Sequence, residues 1–377
     1  MKITNMNFFD SCIQKTCTLI HAACSKKNIS DNCTIILGLS GGPDSVFLLH
    51  VLNHIQKQNA QTKQKPQIKI IATHLDHQWR TESWRDVEFC SQLCNSLNIE
   101  FIARKAEELN LEIKFNGSKE ELGRKMRRAL FNQILKEKNA DFIALAHHLQ
   151  DQQETFFLRL LRGSSLSGLC CMQEIDGNYI RPLLGINKKD ILEYLDSSRN
   201  REARSNHIKY LIDPTNVSPD YLRNRIRSNV IPALVECDER FNSKFQSTLE
   251  QLKLEDDFLK LLATQAFNDI FALNNIFEQS KNPKLKSVKS KHQFENSKHW
   301  LGDLKKFKLL HPVLARRVVL HWLIQEKLAF NLSTNYLDEI IKFLNSDQGG
   351  THTVGQNWKI CKKAGLFWAE HSQAEQP

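Results

Sequence analysis

A chain of 377 residues, 41% hydrophobic and 25% charged, has material for two or three globular domains and falls outside the disordered and fibrous classes. Its 52 Lys and Arg against 42 Asp and Glu leave a net charge of +10, which points to a polyanionic partner rather than to a fold, although a solvated basic surface would also give it. Ten cysteines without one CxxC pair make neither a zinc ribbon nor a disulfide framework, and no apolar run reaches membrane-spanning length, so a reduced, cytoplasmic chain with no membrane partner is expected.

In chain order, MKITNMNFFDSCIQKTCTLIHAAC lacks a clean apolar signal core and reads as an amphipathic helix. Apolar runs rich in Ile, Val and Phe then alternate with helical patterns. Strands are predicted over 34–39, 68–74, 100–104 and 141–146, and helices over 44–57, 84–97, 119–138 and 151–162. This βαβαβα order predicts an α/β fold with a parallel sheet covered on both faces. The segment QKQNAQTKQKPQ, residues 56–67, reads as a polar loop. After Gly168 the rhythm changes. YIRPLL is a short strand-like piece, and NKKDILEYLDSSR is a helix starting near Asn187. SPDYLRNRIRSNVIP is a helix with Ser218 as N-cap, Pro219 in its first position and Pro232 ending or kinking it. In that helix Leu222, Ile226 and Val230 form an apolar stripe beside a basic ridge of Arg223 and Arg227. The lysine-rich tract at 281–299 reads as an exposed loop, and amphipathic helices follow at 311–327 and 333–345. NWKICKKAGLFWAE reads as a small β-hairpin, whose Trp358 and Trp368 suit a small core better than base stacking. The expected domains are 1–218, nucleotide-binding and catalytic; 219–245, a linking helix; and 246–377, mostly helical with the hairpin.

The informative stretch is IILGLSGGPDSVFLLHVL, from Ile35. A strand meets a turn with two glycines, and an apolar helix follows. Gly41 and Gly42 permit close backbone approach, Ser40 and Ser45 add hydroxyls, and the helix N-terminus attracts a phosphate. Asp44 would repel that phosphate unless it holds Mg²⁺. Neither GxxxxGK[ST] nor GxGxxG is present, and the plain alternative is a glycine-rich strand–helix turn. His147, Asp151 and Glu154 are spaced i, i+4, i+7 and could share a helix face. They could ligate a metal, bind an ammonium group, position a base, or merely suit the helix dipole. Arg124, Arg127 and Arg128 make a basic helix that is either a solvated face or a source of charge for a phosphoryl group.

SGGPDS after the first strand resembles the signature of the PP-loop ATP pyrophosphatases, which cleave ATP between the α- and β-phosphates and adenylate a substrate oxygen. HLDHQWR (74–80), ELGRKMRRALF, ALAHHLQDQQETFFLRLLRGSSLSGLCCM, IRPLL, DPTN (213–216) and YLRNRIRSNVIP resemble, in order, segments of the tRNA(Ile)-lysidine synthetase family. The resemblance is specific to about Pro232. Departures are Gly123 for the family's Ala, Arg128 for Tyr, Gln150 for the first Asp of an Asp-Asp pair, and Ser165 for Gly. The resemblance implies a PP-loop domain followed by a helical tRNA-binding domain. It also implies ATP as substrate with Mg²⁺, and tRNA(Ile) with a CAU anticodon and free L-lysine as partners; a homodimer is left open. The site residues it implies are Asp44, Arg124 and Asp151 for catalysis, and Ser40, Gly41, Gly42, Pro43, Asp44 and Ser45 for ATP, with Asp44 on the metal. His147, Asp151 and Glu154 are implied for lysine, and Arg162, Arg223, Asn224 and Arg227 for tRNA. The nearest rival is a PP-loop tRNA thiolase, which the missing CxxC pairs disfavour. A small-molecule synthetase of the superfamily is disfavoured by the charge, and a non-catalytic RNA-binding protein by the intact Ser40–Ser45 turn.

Overall fold

Side chains along the first strand, β1 (Asn32–Gly38), alternate between two apolar layers: Cys33, Ile35 and Leu37 belong to one core and Ile36 to another. The computed structural model describes residues 7–63, 65–109, 119–199, 208–211, 222–272, 300–328, 334–354 and 358–371. The expected helix start at Ser218 and Pro219, the 213–216 segment and the lysine-rich tract at 281–299 lie outside the described residues. The chain divides into two compact units, Met1–Leu252 and Lys253–Pro377.

In the first unit β1 pairs in parallel with β2 (Gln67–Asp76), Ile36 opposite Ile71. β3 (Glu100–Lys105) adds in parallel beyond β2. On its other side β1 takes β4 (Phe142–Ala144), Ile35 opposite Phe142. The short hairpin of β5 (Ile175–Asp176) and β6 (Tyr179–Ile180) completes the order β3-β2-β1-β4-β6-β5, with β5 antiparallel at the edge. The chain therefore reverses its winding direction between β1 and β4, and in such sheets ligands bind outside the carboxyl ends of those strands.

Helices cover both faces. α1 (Phe8–Lys26), α2 (Pro43–Thr62) and α3 (Trp84–Leu97) bury Ile20, Phe47, Leu48, Cys90 and Cys94 on one face. α4 (Lys119–Glu137) brings Leu130, Phe131 and Ile134 to the other. α5 (Leu149–Leu161) and α6 (Leu166–Leu169) follow β4, and α7 (Lys188–Arg199) returns Ile191 and Leu195 to the first face. Each large apolar side chain so buried contributes about 1.5–3 kcal/mol.

Two expectations change. Helix α2 continues through Thr62, so most of the supposed loop at 56–67 is helical. Gln and Lys are good helix formers, and polarity alone stops nothing; the stop is Lys63, left-handed at φ 54°. Asn59 in this stretch is buried, donating to the Pro66 carbonyl at 3.1 Å while its own carbonyl accepts from Gln67 at 3.0 Å. Further on, Pro232 was expected to end or kink its helix; it does not end it, and the regular α-helix gives way to a π segment just before it. α8 (Leu222–Arg225), a π-turn over Ile226–Val230 and α9 (Ile231–Cys237) are continuous, and Pro232 starts α9, where a missing N–H costs least. The π-turn also breaks the expected apolar stripe: Ile226 and Ile231 are buried, while Leu222 and Val230 are exposed.

α10 (Phe241–Ile270) carries the division between the units. In the second unit, helices Pro312–Gln325 and Thr334–Asn345 accompany a four-stranded antiparallel sheet. Its strands are β7 (Gly302–Asp303), β8 (Gly350–Val354), β9 (Trp358–Lys363) and β10 (Leu366–His371), in the order β7-β10-β9-β8. The expected hairpin is β9–β10, turning through Ala364 and Gly365 at φ 52° and 80°. Trp322, Phe307, Phe367 and Ile340 fill a separate core. Trp368 is buried beside Leu301, and Trp358 packs half-buried on the main core. Among the described residues no helix is long and apolar enough to cross a membrane.

Candidate active site at the carboxyl edge of the sheet

The turn after β1 is braced from inside. Ser45 Oγ accepts from the Ser40 N–H at 3.2 Å, donates to the Gly42 carbonyl at 3.0 Å and lies 3.1 Å from Ser40 Oγ. Gly41 has φ +81°, and a Cβ there would lie 2.7 Å from Leu211 Cδ1, so only glycine fits. The Leu211 N–H donates to the Gly41 carbonyl at 2.8 Å, clasping the turn from 170 residues downstream. His74, at the end of β2, donates from Nδ1 to the Leu39 carbonyl at 2.8 Å, which fixes the other flank. Gly42 is the N-cap of α2 and Pro43 opens that helix.

Asp44, in the first turn of α2, faces the β4 side. Its Oδ2 lies 3.3 Å from Lys188 Nζ and 3.6 Å from His148 Nε2. Burial opposes ionisation, but His148 and Lys188 outweigh it and hold the carboxyl below the usual range. Its Oδ1 is buried and has no hydrogen-bond partner among the described residues. An ionised carboxylate with one oxygen to spare beside a phosphate-type turn fits Mg²⁺, which takes one or two protein carboxylates and completes its shell with phosphate and water.

His148 links this carboxylate to a second. Its Nδ1 lies 3.5 Å from Asp151 Oδ2, which also accepts the His148 backbone N–H at 2.9 Å and so caps α5. Asp151 Oδ1 meets Arg223 Nη2 at 3.2 Å. Burial works against its ionisation too, and His148, His147, the His148 N–H and Arg223 hold it low. Glu154, one turn on, is wholly buried: Oε2 accepts from Arg223 Nε at 2.6 Å and Oε1 from Arg227 Nε at 2.5 Å. Buried ion pairs contribute little net stability, because desolvation offsets attraction. The arrangement instead fixes α8 and the π-turn against α5 and sets the direction of each carboxylate.

His147 is not on the helix with Asp151 and Glu154. It lies in the turn between β4 and α5, because α5 begins only at Leu149. Burial, assisted by Arg181, Arg223 and Arg124 and opposed by Asp151, pushes its imidazole down to about 4, so it is neutral at pH 7. The metal alternative for His147, Asp151 and Glu154 loses its third ligand to the arginines; among the described residues no group of three or more His, Cys, Asp or Glu could hold a metal. Arg124 lies exposed on α4, close enough to His147 and Arg181 to affect both electrostatically. Arg162 caps the end of α5 and is exposed, and Asn224 is half-buried on α8. The supposed basic ridge of Arg223 and Arg227 is thus tied to carboxylates, with Arg227 still 41% exposed.

Two of the four departures from the family pattern, Gln150 and Gly123, have defined neighbours. Gln150 donates to Asn187 Oδ1 at 2.8 Å and accepts from the Lys188 N–H at 2.9 Å, so its amide bonds in both senses and seats the start of α7, where Lys188 meets Asp44. At Gly123 a Cβ would come within 2.8 Å of Trp79, which stacks on His77 at 4.5 Å. Sequence reasoning missed Lys188 and the linking role of His148. The spacing gave no sign of Lys188, which lies 144 residues from Asp44.

Known proteins offer a comparison for this edge. A family profile described as a PP-loop domain matches residues 14–234. The chain is similar to the tRNA(Ile)-lysidine synthase of Bacillus anthracis, 30% identical over 330 residues, which cover 85% of this chain and 61% of that protein. It is also similar to the tRNA(Ile)-lysidine synthase of Caldanaerobacter subterraneus subsp. tengcongensis, 35% identical over 242 residues, 64% of this chain and 49% of that one. The chain thus spans 61% or less of the length of these relatives. Among solved structures, the U34-tRNA thiolase NcsA from Methanococcus maripaludis aligns over 64% of this chain and 80% of that chain, with a TM-score of 0.48 and 19% identity.

Proposed function

Because the chain belongs to the PP-loop family, we propose that it is an ATP-dependent tRNA-modifying enzyme that joins lysine to C2 of the wobble cytidine in tRNA(Ile) with a CAU anticodon. The C2 oxygen attacks the α-phosphate of ATP and pyrophosphate leaves. The ε-amine of free lysine then attacks C2 and AMP leaves. The observation that carries this reading is His148, whose two ring nitrogens face Asp44 on the nucleotide side and Asp151 on the other. One imidazole joins a phosphate-type turn to a second carboxylate site, which suits a displacement at the α-phosphorus followed by a displacement at C2 of the same base.

In this reading the turn from Ser40 to Ser45 receives the phosphates of ATP. Asp44 would hold Mg²⁺, which supplies neutralisation of phosphate oxygens. Lys188, beside Asp44, and Arg124 offset the charge that builds as pyrophosphate leaves. Asp151 receives the ammonium end of the amine substrate, with His147 neutral beside it. Glu154 acts through Arg223, which also meets Asp151 and orients it, while Arg227 holds Glu154 from its other oxygen. Arg162, Asn224 and the exposed edge of Arg227 contact tRNA phosphates, for which the net charge of +10 is suited. With these substrates the enzyme would work in the cytoplasm.

A thiolase reading is less well supported. Cys90, the thiol against the turn, is wholly buried, and burial pushes it up, away from the thiolate. The test is incubation of the purified chain with ATP, CAU-anticodon tRNA and labelled lysine, followed by nucleoside analysis. Lysine label in one modified cytidine supports the proposal. Pyrophosphate release without lysine incorporation, or a sulfur-containing nucleoside, would overturn it.

A further inference from the structure

Arg181 follows β6 at the same edge of the sheet and has no part in the chemistry above. It is 7% exposed, so its guanidinium is buried. Nη1 donates to the Gln173 carbonyl at 2.8 Å, and Nη2 lies 3.5 Å from Asp176 Oδ2, a carboxylate that is itself 66% exposed. Its Nε is buried and has no hydrogen-bond partner among the described residues. The guanidinium sits 5.8 Å from the Tyr179 ring centre, and Arg128 lies at 5.8 Å from the same ring. Tyr179 Oη and His147 Nδ1 are also buried without partners among the described residues. The backbone sets these groups near one another, since the Leu145 N–H, two residues before His147, donates to the Ile180 carbonyl at 3.0 Å.

A buried cation with an orphaned N–H has the character of a site for an oxyanion, because an unmade bond to a charged donor is costly. The site lies beyond β4 from the nucleotide turn: β6 is the second strand from β1, about 10 Å across the sheet. The phosphates of ATP are served at β1, and Asp151 stands after β4, between the two. An α-amino acid needs both partners, an anion for its ammonium and a cation for its carboxylate. We propose that Arg181 binds the α-carboxylate of the amino-acid substrate, with Tyr179 Oη and His147 Nδ1 completing the oxyanion's surroundings. This rests on the lysine-transfer reading above.

The test uses the full chain with CAU-anticodon tRNA and three amines: lysine, lysine amide and 1,5-diaminopentane. In the wild-type protein, loss of the carboxylate in the last two is expected to raise the KM for amine transfer about ten- to a hundredfold. Arg181→Met is expected to raise the lysine KM by a similar factor while leaving the KM of lysine amide unchanged, and Arg181→Lys to recover part of the loss. ATP–pyrophosphate exchange with tRNA is expected to stay at the wild-type rate, which also shows that the variant folds. If Arg181→Met affects lysine and lysine amide equally, or if the wild type does not distinguish them, the carboxylate assignment is overturned. If exchange is lost in parallel in both Arg181→Met and Arg181→Lys while their urea midpoints stay at the wild-type value, Arg181 serves a phosphate and the carboxylate assignment is overturned. If the wild-type protein exchanges pyrophosphate but transfers no lysine, the lysine-transfer reading fails first and this assignment with it.

Discussion

Removing one charge at position 44 separates chemistry from folding. Asp44 lies in the first turn of α2 with Oδ1 unpartnered among the described residues, and Asp44→Asn weakens only the pairing of Oδ2 with the part-exposed Lys188 and with His148, which is worth little to stability. It is expected to lower tRNA-dependent ATP–pyrophosphate exchange by at least about a hundredfold while the thermal midpoint stays near that of the wild type. Exchange at the wild-type rate would remove Asp44 from the mechanism. Asp151 and Glu154 divide the work differently. Asp151→Asn is expected to impair lysine transfer most, because this carboxylate faces His148 and is not fully enclosed. Glu154→Gln leaves two arginines facing a neutral, wholly buried amide; because Arg227 is 41% exposed and water reaches it, a loss of stability smaller than the about 3–5 kcal/mol of a fully buried broken pair is expected, read from urea unfolding. Normal lysine transfer by Asp151→Asn would return the pair to a structural, helix-capping role.

At the scale of elements, much was legible in the sequence. Helix 84–97 is found where periodicity puts it, and the first three strands differ by one or two residues at their ends. Those elements declare themselves because each buries one face. Three features were hidden for physical reasons. The end of α2 is polar yet helical, β8 reads GTHTV with little apolar content, and β5 is only two residues long, whereas its partner β6 was read in YIRPLL. The site was legible as a list of residues but not as contacts. Glu154 to Arg223 spans 69 positions and Asp44 to Lys188 spans 144, and no local pattern records such pairs. Helix α4 offers a test at this scale. Gly123→Ala removes a poor helix former, worth up to about 1 kcal/mol, but its Cβ meets the tip of Trp79, which is 46% exposed and can move away. The variant is expected to be as stable as the wild type or slightly more so, with Trp79 unstacked from His77 and tryptophan emission changed. A clear loss of stability would mean that the stack is rigid.

Over the whole molecule, burial holds His50, His77 and His147 at about 4, against 6.5 for an unperturbed imidazole. Above pH 6.5 these groups are neutral in the folded and unfolded chain alike. As pH falls from 6.5 towards 4 the unfolded chain takes up protons that the folded chain refuses, so stability drops by at most about 1.4 kcal/mol per pH unit for each histidine. The urea midpoint is expected to fall between pH 7 and pH 5, and a midpoint independent of pH in that window would contradict the burial argument. The net charge of +10 gives a second global expectation: the KM for tRNA rises steeply with salt while that for ATP moves less, because bound phosphates displace counterions. A salt-independent KM for tRNA would put its binding elsewhere than on phosphates. The clasp between Leu211 and Gly41 reaches into synthesis itself. On the ribosome, the phosphate turn emerges early, but the residue that fills the space beside Gly41 and holds its carbonyl is made 170 residues later. A nascent chain halted before Leu211 therefore has the whole SGGPDS segment and a parallel sheet to carry it, yet lacks the grip that shapes the turn. The full shape of the turn thereby becomes a property of the finished first unit, and a product truncated before Leu211 is expected to bind nucleotide more weakly than the full chain.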